Sequence, residues 1–181
     1  MAEINEMAPI PVFPAPLARL MRPLPLAPLS LSLSVFARRI ARSHPAMFRR
    51  LGAYGHARFT LDPTDLPLVI TLAARGGDPR VTVTRRAGVA DARIAGPLAA
   101  LLGLVHGAYD GDALFFSRDL VVEGDTSAAL ALRNAIDDAE LDLAGEIAGF
   151  SGPFAAPLKR LIALAERRTG VALSRPQEAP W

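Results

Sequence analysis

The chain has 181 residues, enough for one domain with some extra length and a buried core. Hydrophobic residues make up 51% and charged residues 21%, which excludes wholesale disorder, and the lack of Cys excludes disulfides, thiolate metal sites, iron–sulfur ligation and Cys nucleophiles together. The net charge of +2 hides an uneven distribution: residues 1–60 hold eight Arg against two Glu, residues 61–157 seven Arg against fourteen acids, and residues 158–181 five bases against two acids. A basic N-terminal region on an acidic body points to an anionic partner surface for that region alone. The basicity comes from nineteen Arg and one Lys, and no basic-aromatic interleaving suggests base stacking, so nucleic acid is not an expected partner.

Residues 8–28, "APIPVFPAPLARLMRPLPLAP", contain seven of the sixteen prolines. Proline removes backbone donors and breaks helices, so this greasy stretch cannot be a spanning helix, and it lacks the uninterrupted apolar run of a secretory signal. It reads as an extended arm over residues 1–29. In "SLSLSVFARRIARSHP", Ser30, Ser32 or Ser34 is expected to cap a helix ending near His44, before Pro45. Val35, Phe36 and Ile40 fall on one side, and Arg38, Arg39 and Arg42 form a basic flank. A short helix, "AMFRRLG", closes at Gly52. This amphipathic basic segment spans residues 30–53 and supports two readings. Either it packs on the domain, or it lies on an anionic membrane, with Phe36 and Ile40 among acyl chains and Arg38, Arg39 and Arg42 among headgroups. The greasy arm before it favours the membrane.

From Arg58 the pattern turns to strands. "ARFTLDP" alternates, "LPLVITLAA" is β-branched and apolar, "GGDP" is a turn, "RVTVTRR" alternates again, and "VADARIAG" is a weaker fourth strand. Together they predict an antiparallel run with one buried face, and Arg85-Arg86 reads as a solvated strand end. "GPLAALLGLVHG" predicts a helix opened by Pro97, apolar nearly all round and so buried on more than one side. "DGDALFFSRDLVVEGD" predicts two strands about a turn near Ser117-Arg118, and Asp125 stands at a helix N-cap. In the helix that follows, Ala129, Leu132, Ile136 and Ala139 recur at three- and four-residue steps. A last helix, "PFAAPLKRLIALAERRTG", ends at Gly170. The domain is expected over residues 54–173, with a polar tail at 174–181.

The acids between Asp110 and Asp138 raise the question of catalysis. Paired carboxylates do acid–base work when their surroundings push their pKa values apart. Here each has an ordinary structural place, with Asp110 and Asp112 at a turn, Asp119 beside the hairpin, and Glu123 and Asp125 at a strand-to-helix corner. A small acid–base enzyme using Asp112, Glu123 or Asp125 is the alternative reading. Ser117 lacks a nucleophile-elbow context, and His106 in an apolar helix reads as buried or capping. His44, His56 and His106 lack metal-ligand spacing, so neither a metal nor a cofactor is expected.

The stretch "DGDALFFSRDLVVEGDTSAALALRNAIDDAELD", with "LPLVITL" and "ADARIAGPLAALLGLVHG" before it, resembles the sterol-carrier-protein-type lipid-binding domain. The similarity covers roughly residues 47–142 and is most specific in "FFSRDLVVEGDT" and "LRNAID". Within that superfamily it looks most like the bacterial accessory lipid carriers of oxygen-independent ubiquinone biosynthesis. The resemblance implies an α/β (α+β) fold, a mostly antiparallel sheet of about five strands covered by helices, with an apolar tunnel between the layers. It implies a non-catalytic role in the cytoplasm, peripheral at the inner face of the membrane. There the chain would shield a prenylated quinone precursor, or another lipid, while enzymes modify its ring. The implied partners are iron–sulfur hydroxylase-type proteins of ubiquinone biosynthesis. The residues able to line such a tunnel are Leu98, Leu101, Leu102 and Val105; Leu114, Phe115 and Phe116; Leu120 and Val122; and Leu132 and Ile136. A ligand-free interaction module, with a solid core, is a further alternative.

Overall fold

The computed structural model describes residues 10–106 and 119–139. In chain order the elements are α1 (Ala15–Leu20), α2 (Leu26–Ser43), α3 (Pro45–Arg50), β1 (Arg58–Pro63), β2 (Val69–Ala73), β3 (Arg80–Thr84), β4 (Ala92–Gly96), α4 (Leu98–His106), β5 (Val121–Gly124) and α5 (Thr126–Ala139). The strands form one sheet in the order β3-β2-β1-β4-β5. The α/β architecture and the five strands agree with the sequence reading. The last helix, the tail and the first arm of the "ALFFSRDLVV" hairpin lie outside the described residues.

Alternation along the strands sets the two faces of the sheet. Phe59 and Leu61 of β1, Leu72 of β2, Ala92 and Ile94 of β4 and Val122 of β5 join one apolar core. Thr60, Thr71, Thr82, Arg93 and Glu123 take the other face, in register across neighbouring strands. β1 sits at the centre, and its Phe59 and Thr60 are 0% and 1% exposed, so the strand is covered on both faces.

One pairing departs from the expected antiparallel run. β4 lies parallel to β1, with Phe59 opposite Ala92 and Pro63 opposite Gly96. The chain does not add β4 beside β3, because α2 already covers that edge. Val81 N–H donates to Ser34 Oγ at 3.0 Å, and Val83 N–H donates to Ser30 Oγ at 2.9 Å. Two alternate strand residues rise about 6.8 Å and four helical residues about 6.0 Å, so a Ser-x-x-x-Ser pair can serve both amides. An exposed strand edge invites foreign pairing, and here hydroxyls occupy it.

This also corrects the reading of Ser30, Ser32 and Ser34 as helix caps. α2 begins earlier, at Leu26 behind Pro25, and the serines sit inside it. The prolines at 25 and 28 are tolerated because the first-turn N–H groups have no intrahelical partner to lose. Nor is the stretch before Ser30 wholly extended: it contains α1 and the first turn of α2. The stretch is tied down at two points. Asp65 accepts from Phe13 N–H at 2.8 Å and, through its other oxygen, from Leu98 N–H at 2.9 Å, so one carboxylate pins residue 13 and caps α4. Arg85, far from being merely solvated, donates to the carbonyls of Met21, Arg22 and Leu24 and to that of Pro67.

Candidate functional site

The layer between the inner face of the sheet and the helices is built from short apolar side chains on regular elements. β1 and β4 supply Phe59 and Ile94, α4 supplies Ala100, Leu101 and Leu104, and α5 supplies Ala128, Leu132 and Ala135. Small alanines on α4 and α5 let the helices approach closely, while the leucines point into the layer. α3 closes one side through Met47 and Phe48. The buried polar residues among those described are Ser34 and Thr60, and both belong to the hydrogen bonding of the sheet. Such a layer excludes water.

The expected lining residues divide. Leu101, Leu120 and Leu132 are buried in this core, with Val122 and Ile136 packed against it. Leu98 and Leu102 are half-buried on α4 and stand apart from the cluster. Leu114, Phe115 and Phe116 lie outside the described residues, as does the side chain of Val105. Phe59, Ile94 and Leu104 join the layer beyond the expected set, although the alternation in "ARFTLDP" and "DARIAG" already puts Phe59 and Ile94 on a buried face.

The clefts bounded by described residues lie around this layer. One of ≈ 510 Å³ opens between α3 and α5, lined by His44, Met47, Arg50 and Asp138, with an Arg50–Asp138 ion pair across it. A second, of ≈ 410 Å³, lies between α1 and residues 64–67. A third opens on the outer face of the sheet.

The acids hold structural positions. Asp125 caps α5 as expected, accepting from Ser127 N–H at 2.9 Å and Ala128 N–H at 3.1 Å. Glu123 pairs with Arg93 directly across β4 and β5, and Asp62 accepts from Arg93 Nε at 3.0 Å. These two carboxylates raise the Arg93 pKa above its ordinary value, first through the hydrogen bond to Asp62 and then through that to Glu123. Asp110 and Asp112 lie outside the described residues.

The expected membrane contacts are rearranged. Ile40 is 7% exposed and belongs to the core, so it cannot enter a bilayer in this fold, and Phe36 packs against the same core. Arg38 Nε lies 3.2 Å from Asp78 Oδ1, close enough for an ion pair though not aligned as a hydrogen bond. Arg39 and Arg42 are exposed on the opposite side of α2. On that side Leu31 is 66% and Val35 40% exposed, and on and after α1 Leu20 and Leu24 are 70% and 52% exposed. Helical periodicity alone turns the wrong stripe outward, because nothing local shows that Ser30 and Ser34 face a strand. Among the described residues no helix is long and apolar enough to cross a membrane.

Comparison with known proteins places this geometry. A structure titled "UbiJ-SCP2 Ubiquinone synthesis protein" superposes with a TM-score of 0.53 at 21% identity, covering 66% of this chain and 98% of its own. The apo form of sterol carrier protein 2 from Yarrowia lipolytica gives 0.47 at 17% identity, covering 62% and 92%. No curated protein matches the sequence. The model of the SCP-2 sterol transfer family matches residues 36–137, from the middle of α2 to the last turn of α5. The chain belongs to the SCP-2 sterol transfer family, whose domains are lipid-transfer modules.

Proposed function

We propose that the chain is a non-catalytic lipid carrier of the UbiT type, an accessory factor that shelters a prenylated ubiquinone precursor and presents it to biosynthetic enzymes in the oxygen-independent pathway. The observation that carries the reading is the apolar layer in which Leu101, Leu120 and Leu132 meet between sheet and helices. The neighbour titled as a ubiquinone synthesis protein supports the substrate class. A prenyl tail exposing roughly 300 Å² of apolar surface gains about 7 kcal/mol on burial, less the cost of ordering it. That gain needs a continuous apolar lining and an opening, which we place as a tunnel between the layers. The iron–sulfur hydroxylase-type proteins of the pathway are the proposed recipients.

The same reading requires access to the bilayer. Leu20, Leu24, Leu31 and Val35 are exposed beside Arg19, Arg22, Arg39 and Arg42, and no Asp or Glu occurs from Ile10 to Leu61. This exposed side of α1 and α2 is the proposed peripheral contact with anionic lipid at the inner face of the membrane.

Mass spectrometry of lipid extracted from the full chain, purified from anaerobically grown cells without harsh detergent, tests the carrier. A co-purified prenylquinone or its precursor is expected. Recovery of no lipid, together with no binding when a prenylated quinone is titrated in, ends the proposal.

A further inference from the structure

The outer face of the sheet carries an arrangement that lipid carriage does not use. Arg58 of β1 stands in register with Ala73 of β2, and Ala73 with Arg80 of β3. In the next row Thr71 faces Thr82. With Arg75 beyond β2 and Arg86 beyond β3, these residues line a cleft of ≈ 820 Å³. Its floor is the threonine hydroxyls of β2 and β3, and its wall includes Val89, which is 90% exposed.

All four arginines are exposed, and none has an ion-pair partner among the described residues. Nearby acids are engaged elsewhere: Asp78 pairs with Arg38, and Asp91 accepts from the Arg58 backbone N–H at 2.7 Å. The contrast with Arg93 is informative. It lies on the same sheet face and is neutralised by Asp62 and Glu123. Charge is therefore balanced over β4 and β5 and left uncompensated over β2 and β3.

The spacing limits the ligand. Arg80 opens β3 about 14 Å of strand from Thr84, Arg86 follows past the bend after that strand, and Arg58 and Arg80 stand about 10 Å apart across two strands. One phosphate cannot engage them together. An extended acidic segment can, with carboxylates on alternate residues repeating every ~6.8 Å and its backbone reaching the hydroxyls. We propose that this cleft docks an acidic, extended polypeptide segment of a partner protein. The proposal does not depend on which lipid the chain carries.

The test is fluorescence anisotropy of a fluorescein-labelled decaglutamate peptide titrated with the full chain at low salt, with NMR mapping of amide shifts. Saturable binding is expected, with shifts at Thr71, Thr82 and Thr84. The pair Arg80→Glu and Arg86→Glu should weaken it at least about tenfold, while Arg19→Glu and Arg22→Glu change it less than about twofold. Circular dichroism checks folding, and the milder Arg80→Gln and Arg86→Gln pair replaces the reversal if it unfolds. Lipid recovery should be the same in the folded Arg80 and Arg86 variants as in the parent chain, which separates this proposal from the carrier reading. Equal peptide binding by the variants overturns it, as does a shift pattern confined to other faces. Tighter binding of an oligothymidylate of equal charge at the same threonines, or binding there of phosphatidylglycerol vesicles but not peptide, also overturns it.

Discussion

Replacing Ser34 by Ala isolates the contact between α2 and β3. The Ser34 hydroxyl accepts from Val81 N–H at 3.0 Å and lies 2.8 Å from Val81 O, in a residue only 6% exposed. Alanine leaves the Val81 amide buried without a partner, a cost of about 1–3 kcal/mol. Alanine is also the better helix former, which returns about 0.5 kcal/mol. The expected net loss is therefore about 0.5–2.5 kcal/mol. Ser32 supplies the control, since it is exposed and bonds only to Pro28 O within the helix. Ser32→Ala should be neutral or slightly stabilising. Urea unfolding followed by circular dichroism gives both values, and hydrogen exchange reads the Val81 amide directly. If Ser34→Ala matches Ser32→Ala in midpoint and slope, with Val81 exchange unchanged, the hydroxyl does not cover the strand edge and the physical basis for the sheet order fails.

Three further outcomes rest on the packing and the charges. Gly124 has φ +84, and a Cβ there would meet Asp91 O at 2.4 Å; Gly124→Ala should cost more than about 2 kcal/mol in thermal or urea unfolding. Leu31→Glu with Val35→Glu should lower binding to phosphatidylglycerol vesicles at least about tenfold in sedimentation assays, with melting unchanged, whereas Leu101→Glu should cost about 3 kcal/mol or more of folding stability. The stabilisation from Arg93 has a defined pH sign. Its raised folded pKa makes that contribution fully present below the unfolded arginine value and lost only as pH rises through the still higher folded value, so the Arg93→Ala stability difference should show no alkaline decline between about pH 7 and 9.

Much of the fold is visible in local patterns. The alternation at Arg58 and at Arg80, the Pro97 opening of α4 and the Asp125 cap all report backbone chemistry within a few residues, and the structure places elements there. The missed features depend on distant partners. Ser30 and Ser34 look like caps until β3 lies beside them. Arg85 looks solvated until the turn before α2 offers its carbonyls. The parallel pairing of β1 with β4 leaves no mark in either strand, because alternation shows which face is buried and not which neighbour is adjacent. Among the expected lining residues, the apolar pattern places Leu101, Leu120 and Leu132 in the buried core, yet it cannot separate Ile40 in the core from Leu31 outside it.

Among the described residues the central strand is also the earliest strand, and this bears on the order of assembly. As the polypeptide leaves the ribosome, β1, β2 and β3 can close as neighbours in sequence, with α2 already made and waiting beside them. The other side of β1 stays open until Ala92–Gly96 emerges to join it. Distant pairings of this kind slow folding and leave a strand available to the wrong partner meanwhile. A nascent chain that has emerged only as far as Thr84 should therefore be the form most prone to mispair, and emergence of residue 96 should end that exposure.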